Sequence, residues 1–175
     1  MVLVVVRGPD TLIQGYGESS NGNGRPNGKS LLRLGSITKV FTGEVLAALV
    51  NSGKVRLTDP LTLYAQGALV RTPDHAAGSR HGLAGLPRDA GQIPDGTQIF
   101  TWPTRKELWD WFSEHPLNWA PGSVAAYSNM DFSLLADALA VAARKPYPEL
   151  LRELITDPLG MADTTLDPNQ SKACG

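Results

Sequence analysis

The period of the hydrophobic pattern changes once along this chain, near Ser36, and this change limits the folds that it can adopt. Before Ser36, the β-branched run 2–6 and the segment 12–16 flank Gly8-Pro9-Asp10, which predicts a hairpin of two strands. A third short strand is predicted at residues 31–34. Strands are therefore expected at the beginning of the chain.

Helices are predicted for most of the remaining residues. After Ser36, Gly53 provides a stop signal for a first helix. The residues expected on its buried face are Ile37, Phe41, Val45, Ala48 and Leu49. Residues 73–98 are rich in glycine and proline and have little periodicity, which indicates a loop or a damaged region.

Three local signals place further helices after residue 100. Thr104 with Glu107 forms a capping box, which predicts a helix over residues 105–114. A second cap is predicted at Ser128, and Pro148 suits the first turn of a last helix. The fold class predicted is α+β, with too few strands to cover the helices. We expect one partial domain over residues 1–175, with sheet strands in 1–35, a nucleophile helix in 36–53 and a helical region in 54–168.

Composition excludes several classes of protein. The 175 residues fit one globular domain at most, and 16 Lys+Arg against 17 Asp+Glu give a net charge of -1, which indicates no electrostatic attraction to nucleic acid or anionic lipid. Cys174 is the single cysteine and cannot form an internal disulfide. The longest apolar run, residues 1–6, is too short for a bilayer span or a signal-peptide core, so we expect no signal peptide in this chain.

Nucleotide and metal sites are not predicted. Gly28-Lys29-Ser30 is similar to the end of a phosphate-binding loop, but the required earlier glycine would fall at Asn23. His75, His81 and His115 lack the spacing and the neighbours of a zinc site. The four tryptophans between residues 102 and 119 are expected to serve mainly in core packing.

Ser36 and Lys39 are the first pair of residues that suggests chemistry. A serine at a helix start and a lysine three residues later share one face, beside the positive end of the helix dipole and its unpaired backbone N–H groups. An uncharged amine there can accept the serine proton, and the N–H groups can stabilise an oxyanion. This short spacing also arises by chance, so the pair alone does not establish a site.

The second element is Tyr127-Ser128-Asn129. It follows Pro121-Gly122 and precedes a predicted helix, so its side chains are expected to project from a turn. A tyrosine beside a lysine has a lowered pKa and can transfer protons, and an asparagine amide can hold a substrate amide in line. An ordinary helix cap at Ser128 is the simpler interpretation, and the two are compatible.

Together these elements resemble the serine β-lactamase and penicillin-binding protein superfamily, whose members carry a Ser-x-x-Lys element. The family carries three such elements in order along the chain. The second one has the form Tyr-Ser-Asn here, which is similar to the class C branch. Other stretches that look like family signatures, in family order, are 34–42, 53–61, 120–123 and 158–165.

The resemblance implies a β-lactamase/transpeptidase-like fold and a role for each site residue. Ser36 would be the acylated nucleophile, Lys39 its proton acceptor, Tyr127 the second acid/base group and Asn129 a substrate ligand. It implies peptidoglycan stem peptides ending in D-Ala-D-Ala, or β-lactams, as substrates. It also implies a periplasmic location and a reaction that needs no cofactor or metal.

The chain departs from the family pattern in two places. The family's third element, Lys-Thr-Gly on a sheet strand, is absent, because Lys145 and Lys172 are the only lysines after Lys106 and neither precedes Thr-Gly. We therefore expect a chain that lacks the carboxyl-terminal strands. A His-Thr-Ser-Gly-Leu-Pro type signature is also missing before residue 87, which suggests a deletion or frame error within residues 73–98.

Three functions remain open at this point. The first is a serine hydrolase of the penicillin-recognising type, either a D-alanyl-D-alanine carboxypeptidase or a β-lactamase, impaired by the missing strands. The second is a non-catalytic relic of the same fold that binds peptidoglycan or β-lactam weakly. The third is a class C-like esterase. The sequence does not indicate an oligomeric state.

Overall fold

A hairpin followed by helices forms the computed structural model of this protein, which describes residues 1–18, 24–65, 86–89, 103–115 and 123–167. The hairpin consists of β1 (Val2–Arg7) and β2 (Asp10–Gly15), which pair antiparallel with Val2 opposite Gly15. Gly8 in the connecting turn has a φ of 57°, in the left-handed region that favours glycine. The predicted hairpin and the α+β class are confirmed.

The predicted third strand is wrong. Residues 31–34 lie between a turn and a 3₁₀ turn, and within the described part of the chain the sheet contains β1 and β2 alone. Leu31, Leu32 and Leu34 are 40 to 59% exposed. An apolar segment forms a strand only where a neighbouring backbone accepts and donates the ladder hydrogen bonds, and the sequence pattern does not report that neighbour.

Four α-helices follow the hairpin within the described residues. They are α1 (Thr38–Asn51), α2 (Arg105–Glu114), α3 (Asn129–Ala143) and α4 (Tyr147–Leu151). A 3₁₀ turn, Gly35–Ile37, leads into α1, a second one spans Leu61–Tyr64, and one wide π turn, Arg152–Thr156, continues α4. The predicted helix over residues 105–114, the cap at Ser128 and the position of Pro148 in the first turn of α4 are confirmed.

Helix α3 lies between two groups of buried side chains and connects them. One group joins α2 to α3 and consists of Leu61, Ala65, Leu86, Leu108, Trp109, Phe112, Met130, Leu134 and Ala138. The other joins α1 and α4 to α3 and consists of Val45, Leu49, Val55, Leu139, Leu150 and Leu151. Because both groups include residues of α3, this helix is fixed between α2 on one side and α1 with α4 on the other.

The predicted buried face of α1 is confirmed in its later turns. Val45 and Leu49 are buried, whereas Ile37, at the start, is 57% exposed. Trp109 is buried and Trp111 packs at the edge of the same core, as expected for packing residues. Trp102, Trp119, His75 and His81 lie outside the described residues, as does the suspected damaged region apart from residues 86–89.

Candidate active site

Ser36 lies in the 3₁₀ turn directly before α1, and Lys39 lies in the first turn of that helix. Gly35 begins the 3₁₀ turn with a φ of 55°, a conformation that favours glycine. The Ser36 side chain is exposed and that of Lys39 is half-buried. Lys39 Nζ is 3.5 Å from Ser36 Oγ, so the two residues share one face as the sequence predicts.

The backbone N–H groups expected to be unpaired beside Ser36 are partly used by the turn itself. The Ile37 N–H donates to the Leu34 carbonyl at 3.3 Å, and the Thr38 N–H donates to the Gly35 carbonyl. A 3₁₀ turn uses such donors earlier than an α-helix would, because it closes bonds over three residues. These two amides are therefore less available to an oxyanion than the sequence suggested.

Tyr127 completes a compact hydrogen-bonded group with Ser36 and Lys39. Its Oη is 2.6 Å from Ser36 Oγ, and Lys39 Nζ donates to the same Oη at 2.7 Å. The Lys39 ammonium also lies 4.6 Å from the centre of the Tyr127 ring, a cation–π distance. Three predicted site residues thus meet within hydrogen-bonding range.

Asn129, the fourth predicted site residue, joins the same group. Its Oδ1 accepts from Lys39 Nζ at 2.6 Å, and its Nδ2 donates to Asp89 Oδ1 at 2.7 Å. Phe132, one turn further along α3, places its ring 5.6 Å from Lys39 Nζ. The lysine therefore has two close oxygen acceptors and the aromatic rings of Tyr127 and Phe132 around it.

Residues 86–89 hold the Tyr-Ser-Asn element in place. Ser128 Oγ accepts from the Asp131 N–H at 3.0 Å, as a helix cap does, and donates to the Pro87 carbonyl at 2.7 Å. The Asn129 N–H donates to the Arg88 carbonyl at 2.7 Å. The cap at Ser128 is therefore present in the same arrangement that places Tyr127 and Asn129 beside Lys39.

The charge of Lys39 acts directly on the phenol of Tyr127. The hydrogen bond from Lys39, and after it the one from Ser36, lowers the pKa of Tyr127 from its ordinary value of 10.0, because both donors favour the phenolate. Tyr127 is 55% exposed, so burial opposes this shift only weakly. A phenol with a lowered pKa is a better proton acceptor near neutral pH.

Sequence reasoning missed Arg88, Asp89 and Phe132. Arg88 and Asp89 lie in the segment whose composition indicates a loop or a damaged region, and Phe132 carries no sequence signal beyond its apolar character. The sequence signal for this segment is Gly85-Leu86-Pro87, which matches the end of the His-Thr-Ser-Gly-Leu-Pro type signature.

Among the described residues, no group of three His, Cys, Asp or Glu side chains could hold a metal ion. None of the described helices is long and apolar enough to cross a membrane.

Comparison with known proteins gives the class. The profile of the β-lactamase family matches residues 1–173, and the chain belongs to that family. It is 45% identical to the D-alanyl-D-alanine-carboxypeptidase/endopeptidase AmpH of Escherichia coli (strain K12), over 97% of this chain and 46% of that protein. It is 32% identical to the putative β-lactamase-like protein 1 of Homo sapiens, over 95% of this chain and 36% of that one. The chain thus spans about half the length, or less, of the curated relatives it matches.

Solved structures show the same fold. A β-lactamase/D-alanine carboxypeptidase from Yersinia pestis, crystallised with citrate, superposes with a TM-score of 0.82 and 41% identity, over 98% of this chain and 52% of that one. A class C β-lactamase from Rhodobacter sphaeroides superposes with a TM-score of 0.74 at 23% identity, over 95% of this chain and 46% of that one. The predicted β-lactamase/transpeptidase-like fold and the family resemblance are confirmed.

Proposed function

We propose that Ser36 is the nucleophile of a serine hydrolase of the penicillin-recognising type, which acts through an acyl-enzyme on D-Ala-D-Ala peptides or β-lactams. The observation that carries the proposal is the contact between Ser36 Oγ and Tyr127 Oη at 2.6 Å, with Lys39 Nζ on the same phenol oxygen at 2.7 Å. A weak alcohol nucleophile needs such an adjacent proton acceptor.

In the acylation step, Ser36 Oγ forms a bond to the substrate carbonyl carbon while its proton passes to Tyr127 Oη. The C–N bond then breaks, and the leaving nitrogen takes that proton. Water then attacks the carbonyl carbon of the resulting ester and gives a proton to Tyr127 Oη, the ester C–O bond breaks, Ser36 Oγ takes that proton, and the carboxylic acid product leaves. The distances favour Tyr127 over Lys39 as the immediate acceptor, because Lys39 Nζ is 3.5 Å from Ser36 Oγ, at the limit of a hydrogen bond.

In this mechanism Lys39 stabilises the phenolate form of Tyr127, which accepts the proton. Asn129 holds Lys39 in place and binds the substrate amide. Lys39 donates to both Tyr127 Oη and Asn129 Oδ1, so its ammonium favours the phenolate and is itself fixed at two points. Lys39 is therefore the electrostatic partner of the proton acceptor Tyr127, whereas the family resemblance implies that Lys39 itself is the acceptor.

The substrate class rests on the family relatives. AmpH is named a D-alanyl-D-alanine-carboxypeptidase/endopeptidase, and the relative from Yersinia enterocolitica is named a β-lactamase. β-Lactams and D-Ala-D-Ala peptides offer the same chemistry, an amide carbonyl open to attack by an alcohol. Because peptidoglycan lies outside the inner membrane, we place the activity in the periplasm.

Labelling with a fluorescent penicillin tests the proposal. We expect covalent label on Ser36, located by mass spectrometry, and no label on a Ser36→Ala variant of the same melting temperature. Ser30→Ala, which changes a serine outside the site, is the matched control and should label normally. Hydrolysis of a p-nitrophenyl ester without penicillin labelling would favour the esterase. Reversible binding of penicillin with neither reaction would favour the non-catalytic relic.

A further inference from the structure

We propose that Asp89 is a positioning residue, which fixes the direction of the Asn129 amide and through it the place of Lys39. This inference rests on the function proposed above. Asp89 Oδ1 accepts from Asn129 Nδ2 at 2.7 Å, while Asn129 Oδ1 accepts from Lys39 Nζ at 2.6 Å. Asn129 thus lies between a carboxylate and an ammonium.

The two ends of an asparagine amide differ in kind. The NH₂ group only donates, the carbonyl oxygen only accepts, and an ionised carboxylate also only accepts. Asp89 therefore selects the NH₂ end of Asn129, and the carbonyl must face Lys39. In the reversed orientation the NH₂ group would face the ammonium, donor against donor, and Lys39 would lose one of its two oxygen acceptors.

The loss of the Asn129 carbonyl as an acceptor would affect Tyr127 Oη through Lys39. Lys39 Nζ is held between Asn129 Oδ1 and Tyr127 Oη, the latter at 2.7 Å. Without the Asn129 acceptor, the flexible Lys39 side chain would leave this position for part of the time. Tyr127 Oη would then lose the hydrogen bond that Lys39 donates to it. Asp89 touches neither Ser36 nor Tyr127 in the contacts of the described residues, so its hydrogen-bonded route to Lys39 runs through Asn129. Its other partner, Arg88, lies 5.9 Å from the centre of the Tyr127 ring and makes no hydrogen bond to Lys39 in those contacts.

Asp89 is held in place by its own segment. The Arg88 carbonyl accepts from the Asn129 N–H at 2.7 Å and from the Met130 N–H at 3.4 Å, so residues 88 and 89 are in register with the start of α3. Arg88 Nε lies 3.4 Å from Asp89 Oδ2 and leaves Oδ1 to Asn129. The Asp89 side chain is 33% exposed, which permits substitution without opening the core.

A purely structural role for Asp89 makes a different prediction. An acidic residue near the start of α3 also stabilises the positive end of the helix dipole, an effect that depends on charge. Asp89→Asn removes the charge and keeps an oxygen that accepts from Asn129 Nδ2 when the new NH₂ group faces away from Asn129, the orientation that the Lys39 contact with Asn129 Oδ1 favours. Asp89→Leu removes both, and Asp89→Ser is too short to reach. The orientation proposal thus predicts rescue by Asp89→Asn, whereas the dipole explanation does not.

The first measurement is the rate of penicillin labelling at Ser36 in the full chain. We expect a fall of about tenfold or more in Asp89→Leu and Asp89→Ser, the factor given by one lost charge-assisted hydrogen bond, and a change of less than about threefold in Asp89→Asn. The control is Asp163→Leu, which changes an exposed aspartate outside the site and should label as the parent does.

The second measurement does not depend on activity. The side-chain NH₂ resonances of Asn129, assigned by their loss in Asn129→Asp, should move in Asp89→Leu and Asp89→Ser and stay near their parent positions in Asp89→Asn. Unmoved resonances, or unchanged labelling in a folded Asp89→Leu or Asp89→Ser variant, would overturn the proposal. A parent chain that is not labelled at Ser36 would refute the proposed function instead, and the resonances would still decide whether Asp89 orients Asn129.

Discussion

The indole Nε1 of Trp109 donates a hydrogen bond of 2.7 Å to Oδ2 of Asp137, and this contact ties α2 to α3. Oδ1 of the same carboxylate accepts from Arg105 Nε, also at 2.7 Å. Trp109 is 1% exposed, so its N–H has no access to solvent. Since α3 begins at Asn129, the contact also steadies the helix that carries a site residue.

Asp137→Ala should therefore destabilise the protein. The change leaves the buried Trp109 N–H without its acceptor, which costs about 1 to 3 kcal/mol of the free energy of unfolding. Urea unfolding followed by tryptophan fluorescence measures it. Glu44→Ala, at an exposed position of α1, is the control and should change the unfolding free energy by less than about 0.5 kcal/mol. Equal midpoints for the two variants would contradict the importance of the contact.

Tyr127→Phe should abolish most of the acylation of Ser36 while the protein stays folded. The change removes the oxygen that bridges Ser36 and Lys39, and the loss of a general acid/base group costs about 10²- to 10⁴-fold in rate. Labelling with penicillin measures the rate. Tyr16→Phe is the matched control, because Tyr16 is similarly exposed and lies in the hairpin segment. A Tyr127→Phe variant that labels at the parent rate would make Lys39 the acceptor.

Tyr127 should ionise below 10.0, and Lys39 should be the main cause. As the pH rises through the lowered pKa, the phenolate fraction grows, so the labelling rate should rise and then level off. Lys39→Met should shift both the phenol titration and the rate profile to higher pH. The difference in ultraviolet absorbance between the parent and Tyr127→Phe isolates this tyrosine, and Tyr64, with its pKa raised to about 12 by burial and by Asp59, should ionise after it. A Tyr127 transition at or above 10.0 would refute the electrostatic role of Lys39.

Thr104→Ala should weaken α2 from its first turn. The Glu107 N–H donates to Thr104 Oγ1, and Glu107 Oε2 accepts from the Thr104 N–H at 2.7 Å, so both halves of the capping box are present. Loss of an N-cap side chain costs about 1 kcal/mol. Thermal unfolding followed by circular dichroism measures the change, and Thr104→Ser, which keeps the hydroxyl, should restore stability.

The same box predicts a dependence of stability on pH. The backbone and side-chain hydrogen bonds from Thr104 lower the pKa of Glu107 below its ordinary value of 4.5. The folded state therefore binds this proton less readily than the unfolded state. The contribution is present above 4.5 and is lost as the pH falls through the lowered value. Glu107→Gln should remove that part of the acid dependence, and identical acid profiles for the parent and this variant would contradict it.

The features that the sequence predicted well are local. The bounds of α2 follow from one capping box, and the shared face of Ser36 and Lys39 follows from one helical turn. Tyr127 is predicted as a site residue because a tyrosine beside a lysine can transfer protons. Its 2.6 Å contact with Ser36, across 91 residues, depends on how α3 packs against α1.

The features that the sequence did not predict depend on partners distant along the chain. Residues 31–34 have the composition of a strand, but the described ranges contain no strand that pairs with them. Asp89 lay in a segment without periodicity, and its importance comes from a contact with Asn129, 40 residues away. The sequence pattern does not predict the π turn at Arg152–Thr156. This turn continues α4, and the pattern indicates a helix there without distinguishing an α turn from a π turn.

The hairpin has a consequence for handling the protein. Val4 and Val6 are 53% and 67% exposed on one face, and Leu3 and Val5 are 45% and 47% exposed on the other, so neither side of β1 is polar. A net charge of -1 provides little repulsion between molecules. We therefore expect this hairpin to promote association between molecules, and Val4→Lys to raise the concentration at which solutions become turbid.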